Sequence, residues 1–176
     1  MNYDPLSKQH PEKQILDDNA RKFTCNQLDP SNLSINEVTS FVLMTDWLET
    51  GLDDEKKLAY KRFANGDTQI LLIAKVTSNG KRITEKQNIT EEEYSHLLAS
   101  STLRVEKTRQ EFAYKQNGVE FSLKYDDFGG DKPKMLEVDA SNHQDRDMFN
   151  PELFPSDLTE VTDDISYYGY RIAGHI

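Results

Sequence analysis

Charged residues occur in pairs along residues 105–140, and the two members of each pair are two positions apart. The pairs are Lys107 with Arg109, Lys124 with Asp126, and Glu137 with Asp139. Side chains two positions apart on a β-strand point to the same face of the sheet. The segment predicts three consecutive strands, which would aim bases and acids at one surface. A surface that holds a polyanion and its metal ions needs bases and acids placed on separate strands. The alternative is three strands whose charged faces are simply exposed to water, where such a separation is not needed.

Length and charge limit the classes of protein to which the chain can belong. Its 176 residues allow a sizeable core and predict a single domain, residues 15–176, after a flexible tail, residues 1–14. The formal net charge of -10, from 21 basic and 31 acidic residues, argues against non-specific binding to nucleic acid or to an anionic membrane surface. The sequence shows neither an apolar run of roughly 20 residues nor the apolar core of a signal peptide. We therefore expect a cytoplasmic protein.

Cysteine and histidine give no sign of a redox or metal centre. Cys25 is the only cysteine, which excludes an internal disulfide and a cysteine metal cluster, and we expect it to be a small buried side chain. The four histidines show no spacing typical of a metal site. We assign them no role.

Apolar runs and turn residues predict seven or eight strands, most of them joined by hairpins. Asn-Gly pairs at residues 65–66, 79–80 and 117–118 are the strongest hairpin signals. The expected fold is α+β. It is an antiparallel sheet that curls or closes into a β-barrel of about eight strands, with a few flanking helices.

Two stretches predict helices, and two others are harder to interpret. Thr90 and Glu93 form a capping box at the start of the clearest helix, and residues 141–158 predict a second, short one. Residues 38–48 are the most apolar stretch, and their periodicity does not distinguish a strand from a helix. Residues 49–56 are expected to form an acidic turn.

Four short motifs follow one another in the C-terminal half. They are VEKTR at residues 105–109, DDFGG at 126–130, LEVD at 136–139 and EVTDDISYY at 160–168. In these motifs and their intervals the chain resembles the CYTH family, the triphosphate tunnel metalloenzymes. The family patterns are VEKTR, DVFxG, LxEVE and EVTxDxRY. Asp139 replaces the second Glu of the third motif, and Glu160 is expected to brace the last helix and not to touch the ligand.

The N-terminal half resembles the same family less closely. LIAK at residues 72–75 matches the family's LTxK strand, whereas RITEK at residues 82–86 stands for its RxExE strand. The paired arginines of the family fall on Ala59 and Lys61. Trp47 stands for the tyrosine of the family's QGYL motif, and its indole can only donate a hydrogen bond.

The resemblance implies a closed antiparallel tunnel whose wall holds a triphosphate and a divalent metal. Basic side chains would bind the phosphates: Lys22, Lys61, Lys75, Arg82, Lys107 and Arg109. Carboxylates would bind Mg²⁺ or Mn²⁺: Asp126, Glu137 and Asp139. These sets are physically reasonable, because a triphosphate needs several cations around it and hard oxygen ligands suit magnesium. Members of the family hydrolyse inorganic tripolyphosphate or thiamine triphosphate, and some cyclise ATP.

Departures from the family pattern separate two hypotheses. Four positions at which the family has carboxylates are Ala20, Thr84, Lys86 and Lys124 here. We expect a divalent-metal-dependent hydrolase of inorganic or organic triphosphates, of the tripolyphosphatase or thiamine-triphosphatase type. The alternative is a catalytically weakened tunnel protein that binds a triphosphate, nucleotide or other polyanion without turnover. The expected partner is a small-molecule triphosphate or polyphosphate, with no nucleic acid and no membrane, and the protein is a monomer or homodimer.

Overall fold

The computed structural model describes residues 14–17, 20–33, 37–50, 54–167 and 171–172. Within them lie ten β-strands: β1 (Gln14–Asp17), β2 (Arg21–Thr24), β3 (Val38–Glu49), β4 (Glu55–Phe63), β5 (Thr68–Ser78), β6 (Lys81–Asn88), β7 (Leu103–Gln116), β8 (Val119–Asp127), β9 (Met135–Asp139) and β10 (Thr159–Glu160). The α-helices are α1 (Glu91–Leu98) and α2 (His143–Asp147), and 3-10 turns lie at Pro30–Asn32, Pro151–Leu153 and Ile165–Tyr167. Neither described α-helix has the length and hydropathy that crossing a membrane requires.

The chain divides into two compact units, each assembled from two separate stretches. The first unit comprises Met1–Asp18 and Met44–Val105, and the second comprises Asn19–Leu43 and Glu106–Ile176. Hydrogen-bonded neighbours follow the order β1-β6-β5-β4-β3 in the first unit and β7-β8-β9-β2-β10 in the second. Strands β3 and β7 each contribute residues to both units. The strand pairs whose register is described are antiparallel.

Asn-Gly turns join successive strands, as the sequence predicts. Asn79 and Gly80 have φ angles of 51° and 75°, and Asn117 and Gly118 have φ angles of 51° and 78°. Positive φ at both central residues is the requirement of the tight turn that matches the twist of a hairpin, and Asn and Gly adopt it at least cost. These turns fix the register of β5 with β6 and of β7 with β8.

The core of the second unit lies on one face of its sheet. Side chains that alternate along four strands form this apolar face: Phe23, Phe112, Tyr114, Phe121, Leu123, Tyr125, Leu136 and Val138. Phe149, which follows α2, packs edge-on against Phe23 and Phe121 with ring centroids 5.5 and 5.3 Å away. Because the side-chain period of a strand is two, the intervening residues must lie on the opposite face. That opposite face carries most of the charged residues singled out in the sequence.

The first unit buries apolar residues on both faces of β5. Ile70 shares one face with Leu58 of β4, whereas Leu71 and Ile73 lie on the other, and all four are buried. The continuous apolar run of this strand explains the two-sided burial. Helix α1 begins with the predicted capping box, in which Thr90 Oγ1 accepts from the Glu93 N–H at 3.2 Å and Glu93 Oε2 accepts from the Thr90 N–H at 2.8 Å.

Several sequence predictions meet a definite outcome. Residues 38–48 belong to a strand, β3, along which burial alternates from Phe41 to Thr45. The predicted acidic turn at residues 49–56 is too long, since β4 begins at Glu55. The closed barrel is not confirmed, because no hydrogen bonds close the sheet among the described residues. At the two ends of the strand order, β1 pairs with β6 and β10 pairs with β2. The predicted tail, apart from Gln14, lies outside the described residues.

Candidate functional site

Lys107, Arg109 and Asp126 form a buried cluster of ions in the second unit. Arg109 on β7 lies directly opposite Asp126 on β8. The Nε and Nη2 groups of Arg109 donate to Oδ1 and Oδ2 of Asp126 at 2.6 and 2.7 Å, and Lys107 Nζ donates to Oδ2 at 2.7 Å. The side chains of Lys107, Arg109 and Asp126 are 11%, 13% and 2% exposed. Asp126 is therefore the common counter-ion of two bases.

Burial and proximity shift the pKa of each member of this cluster. Burial favours a higher pKa for Asp126, but Arg109 and Lys107 outweigh it and hold the pKa of the carboxyl below its ordinary value. Burial and the charge of Arg109 lower the pKa of Lys107 to about 8, although Asp126 opposes them. Burial would also lower the pKa of Arg109, but Asp126 raises it above its already high value. Lys107 is thus the member whose charge changes nearest to neutral pH.

Glu137 on β9 lies opposite a lysine on each neighbouring strand, Lys124 of β8 and Lys22 of β2. Directly opposite residues of antiparallel strands point to the same face. This face of β2, β7, β8 and β9, which we name the mixed-charge face, carries equal numbers of bases and acids. The bases are Lys22, Lys107, Arg109, Lys115 and Lys124, and the acids are Glu111, Glu120, Asp126, Glu137 and Asp139.

The three carboxylates expected to bind metal do not form a metal site in this arrangement. Both oxygens of Asp126 accept from Lys107 or Arg109. Asp139 lies opposite Ser122, and its Oδ1 accepts from the Ala140 N–H at 2.8 Å. Among the described residues, no three His, Cys, Asp or Glu side chains gather so that they could hold a metal ion. The binding of Mg²⁺ or Mn²⁺ therefore has no support from the geometry of these side chains.

Positive charge is concentrated on one face of the first unit. The register of β4, β5 and β6 places five bases on this face, which we name the cationic face: Lys57, Lys61, Lys75, Arg82 and Lys86. Glu55 is the one carboxylate that these three strands contribute to it. Lys61, Lys75 and Arg82 are phosphate-binding residues predicted from the sequence. The other three predicted bases, Lys22, Lys107 and Arg109, belong to the mixed-charge face of the second unit.

Glu55, the first residue of β4, contacts two bases of the cationic face. Its Oε1 accepts from Trp47 Nε1 at 2.7 Å and from Lys57 Nζ at 2.8 Å, and Arg82 Nη2 lies 3.5 Å from Oε2. Lys75 is directly opposite on β5. Burial would raise the pKa of Glu55, but Lys57, Lys75 and the hydrogen bonds outweigh it and lower this pKa to about 2. Glu55 is thus a carboxylate that is only 6% exposed and whose charged form its neighbours stabilise.

Sequence reasoning missed Glu55 and Lys57 because it ended the preceding turn too late. The alternation of Glu55, Lys57, Ala59 and Lys61 was the available signal, since residues two positions apart share a strand face. Beginning the strand at Glu55 on the basis of this alternation would have placed Glu55 and Lys57 on the same strand face as Lys61.

Two further ion pairs brace the units. Buried Asp46 accepts from Arg104 Nε at 2.8 Å, which ties the segment after α1 to β3. Arg21 donates from Nε and Nη2 to Glu160 at 2.9 to 3.2 Å, so Glu160 links β10 to β2. Cys25 is 1% exposed, which confirms the expected burial, and burial raises the pKa of its thiol.

Comparison with solved structures identifies the fold. The inorganic triphosphatase NE1496 is similar with a TM-score of 0.57 and 22% identity over 90% of this chain and 99% of that chain. The PH1819 protein from Pyrococcus horikoshii OT3 is similar with a TM-score of 0.52 and 17% identity over 73% of this chain and 82% of that chain. No protein-family model matches the chain, and no curated protein sequence does. The likeness shows a shared fold, which by itself does not determine activity.

Proposed function

We propose that this protein is a triphosphatase-like tunnel protein that binds an inorganic or organic triphosphate through its cationic face. The observation that carries the proposal is the charge of that face, where five bases accompany one carboxylate. A protein with a net charge of -10 has no general affinity for anions, so a cationic face of this size indicates a specific anionic ligand.

The spacing of the bases suits a short linear polyanion. Residues two positions apart on a strand lie roughly 6.6 Å apart, and neighbouring strands lie about 4.8 Å apart. Several bases of the cationic face can therefore contact one small ligand. A triphosphate carries roughly four negative charges at neutral pH, and charge-assisted hydrogen bonds to its oxygens are the strong kind. On these three strands the bases outnumber the carboxylates by four, which suits this ligand.

Two other observations support the same class of protein. The chain shares its fold with a protein described as an inorganic triphosphatase. The VEKTR motif places Lys107 and Arg109 in the buried cluster with Asp126, which fixes the direction of both bases. In this proposal the chain is a member of the CYTH family, and its antiparallel strands close into a tunnel.

Metal-dependent hydrolysis of the triphosphate is the second candidate function, and the fold of NE1496 favours it. Two of the three carboxylates that hydrolysis would need for a metal face bases across the strands: Asp126 faces Arg109, and Glu137 faces Lys22 and Lys124. Taking up a metal would require these carboxylates to leave their cationic neighbours. We therefore rank binding ahead of hydrolysis.

Calorimetric titration with tripolyphosphate tests the proposal, in magnesium, in manganese and in chelator. We expect binding in all three conditions and a loss of at least about tenfold in affinity for Lys75→Met, because a base of the cationic face is removed. Lys56→Met is the matched control. Lys56 occupies the opposite face of β4 in the same unit. Equal losses in the two variants, or no binding to the wild type, would contradict the proposal.

Release of phosphate from tripolyphosphate, measured on the same samples, separates the two candidates. Release that needs magnesium or manganese and disappears in Glu137→Gln would establish hydrolysis. Binding without release in any condition would establish a binding protein.

A further inference from the structure

Glu55 is a buried carboxylate inside a face that is otherwise cationic, and the proposed function gives it no role. A buried charge costs free energy unless it is paired and hydrogen-bonded. Glu55 satisfies both conditions through Lys57 and the indole of Trp47. Its position among bases on three strands means that it partly neutralises the face that binds the ligand.

We propose that Glu55 is an internal anion that positions the bases around it and competes with the incoming triphosphate for them. Lys57 then becomes a further ligand-binding residue, because the oxygen that holds it now would be replaced by a phosphate oxygen. This inference rests on the proposed function and concerns the affinity of the same site.

The contacts of Glu55 explain how one carboxylate can both position the neighbouring bases and compete with the ligand for them. Trp47 is 2% exposed, and its N–H holds Oε1 from a neutral group that no anion displaces. Lys57 Nζ contacts the same oxygen at 2.8 Å, and Arg82 Nη2 approaches the other oxygen at 3.5 Å. The indole fixes the carboxylate, and the carboxylate fixes the two bases. A phosphate that contacts Lys57 or Arg82 must share them with Glu55, which opposes its binding.

Lys57 occupies the place that the strand pattern offers for an additional phosphate contact. It lies on the cationic face two positions before Ala59, where a shorter side chain carries no charge. The Lys57 side chain is 17% exposed, and its ammonium group contacts Glu55 Oε1 at 2.8 Å. Lys57 Nζ also lies 5.6 Å from the centre of the Trp47 ring, within the range of a cation–π contact.

Removing the charge of Glu55 should strengthen the binding of the ligand. Glu55→Gln keeps an oxygen that can accept from Trp47 but removes the competing negative charge. We expect tripolyphosphate to bind at least about tenfold more tightly to this variant than to the wild type, with a steeper dependence on salt. A merely structural Glu55 would give weaker binding when it is replaced, so the sign of the change separates the two roles.

Two variants serve as controls for this comparison. Glu85→Gln removes the same charge from the opposite face of β6 in the same unit and should change affinity by less than about threefold. Glu55→Asp keeps the charge and should leave the affinity near that of the wild type. Equal or weaker binding by Glu55→Gln, while the wild type binds, overturns the inference alone. Failure of both proteins to bind tripolyphosphate overturns the proposed function and the inference together.

A measurement on the wild type keeps the inference testable if Glu55→Gln does not fold. Trp47 is the only tryptophan of the chain, so its fluorescence reports on the hydrogen bond to Glu55. We expect saturating tripolyphosphate to shift the emission of Trp47, because the ligand draws Lys57 away from the same carboxylate oxygen. An unchanged spectrum at saturation would show that the ligand does not compete with Glu55.

Discussion

Arg109 and Asp126 face each other across β7 and β8 and are joined by two parallel hydrogen bonds of 2.6 and 2.7 Å. This two-pronged geometry uses the planar shape of the guanidinium group, which a lysine could not reproduce. It leaves Asp126 no oxygen without a cationic neighbour, because Lys107 contacts Oδ2 as well. The aspartate of the DDFGG motif is therefore held by bases and is not poised to receive a metal ion.

Asp126→Asn should destabilise the second unit by about 3 to 5 kcal/mol, because the substitution leaves two buried bases without their counter-ion. Chemical denaturation measures this change. Glu106→Gln is the control, since Glu106 is exposed on the neighbouring strand and should cost less than about 0.5 kcal/mol. A loss below about 1 kcal/mol for Asp126→Asn would mean that the cluster does not stabilise the fold.

The stability of the second unit should depend on pH through Lys107, whose pKa burial and the charge of Arg109 lower to about 8. The unfolded chain keeps the lysine proton up to about pH 10.4. It therefore binds more protons than the folded chain between these values, and the free energy of unfolding should rise with pH across this window. Chemical denaturation between pH 7 and pH 10 tests this effect. Lys107→Met should show a flatter profile, and an identical profile would contradict the assignment.

Acid should destabilise the first unit through Glu55. The neighbouring charges outweigh burial and lower its folded pKa to about 2, from an ordinary value of 4.5. The contribution of Glu55 to the free energy of unfolding is fully present above the pKa that Glu55 has in the unfolded chain. It is lost as the pH falls through the pKa that Glu55 has in the folded protein. The shift corresponds to about 3 kcal/mol. Denaturation between pH 6 and pH 2 measures it, and the pH dependence of Glu55→Gln should be smaller. A parallel dependence in the variant would assign the effect to other carboxylates.

Phe149→Ala should cost the second unit about 3 to 5 kcal/mol, because it removes a buried ring that packs against Phe23 and Phe121. Thermal or chemical unfolding measures the loss. The neighbouring substitution Met148→Ala should have little effect, since Met148 is 58% exposed. Similar losses of stability in the two variants would show that the ring of Phe149 packs only loosely against the sheet.

The shared face of Lys107, Arg109 and Asp126 could be predicted from the sequence because it follows from local rules. The two-residue turn at Asn117 and Gly118 fixes the register of its hairpin, so counting outwards from the turn places Arg109 opposite Asp126. The same rule holds for β5 and β6, which places Lys75 opposite Thr84.

The remaining contacts could not be predicted, because no short turn sets them. Strands β8 and β9 are joined by a longer loop, residues 128–134, so the sequence does not show that Lys124 lies opposite Glu137. Lys22 reaches Glu137 from a strand more than one hundred positions away along the chain. These non-local registers place Glu137, one of the expected metal ligands, opposite two lysines. The sequence pattern predicts which residues lie on the mixed-charge face but not which residues lie next to one another there.

The cationic face also limits the length of the ligand. The chain carries a net charge of -10, although bases outnumber acids on the three strands of this face, so the rest of the chain is more acidic than the whole. A short anion can be guided to the face by this uneven field and can remain within it. A polymer such as RNA or a long polyphosphate would extend over the acidic surroundings and be repelled there. Under the proposed function, the same charge distribution would favour a triphosphate over its longer relatives.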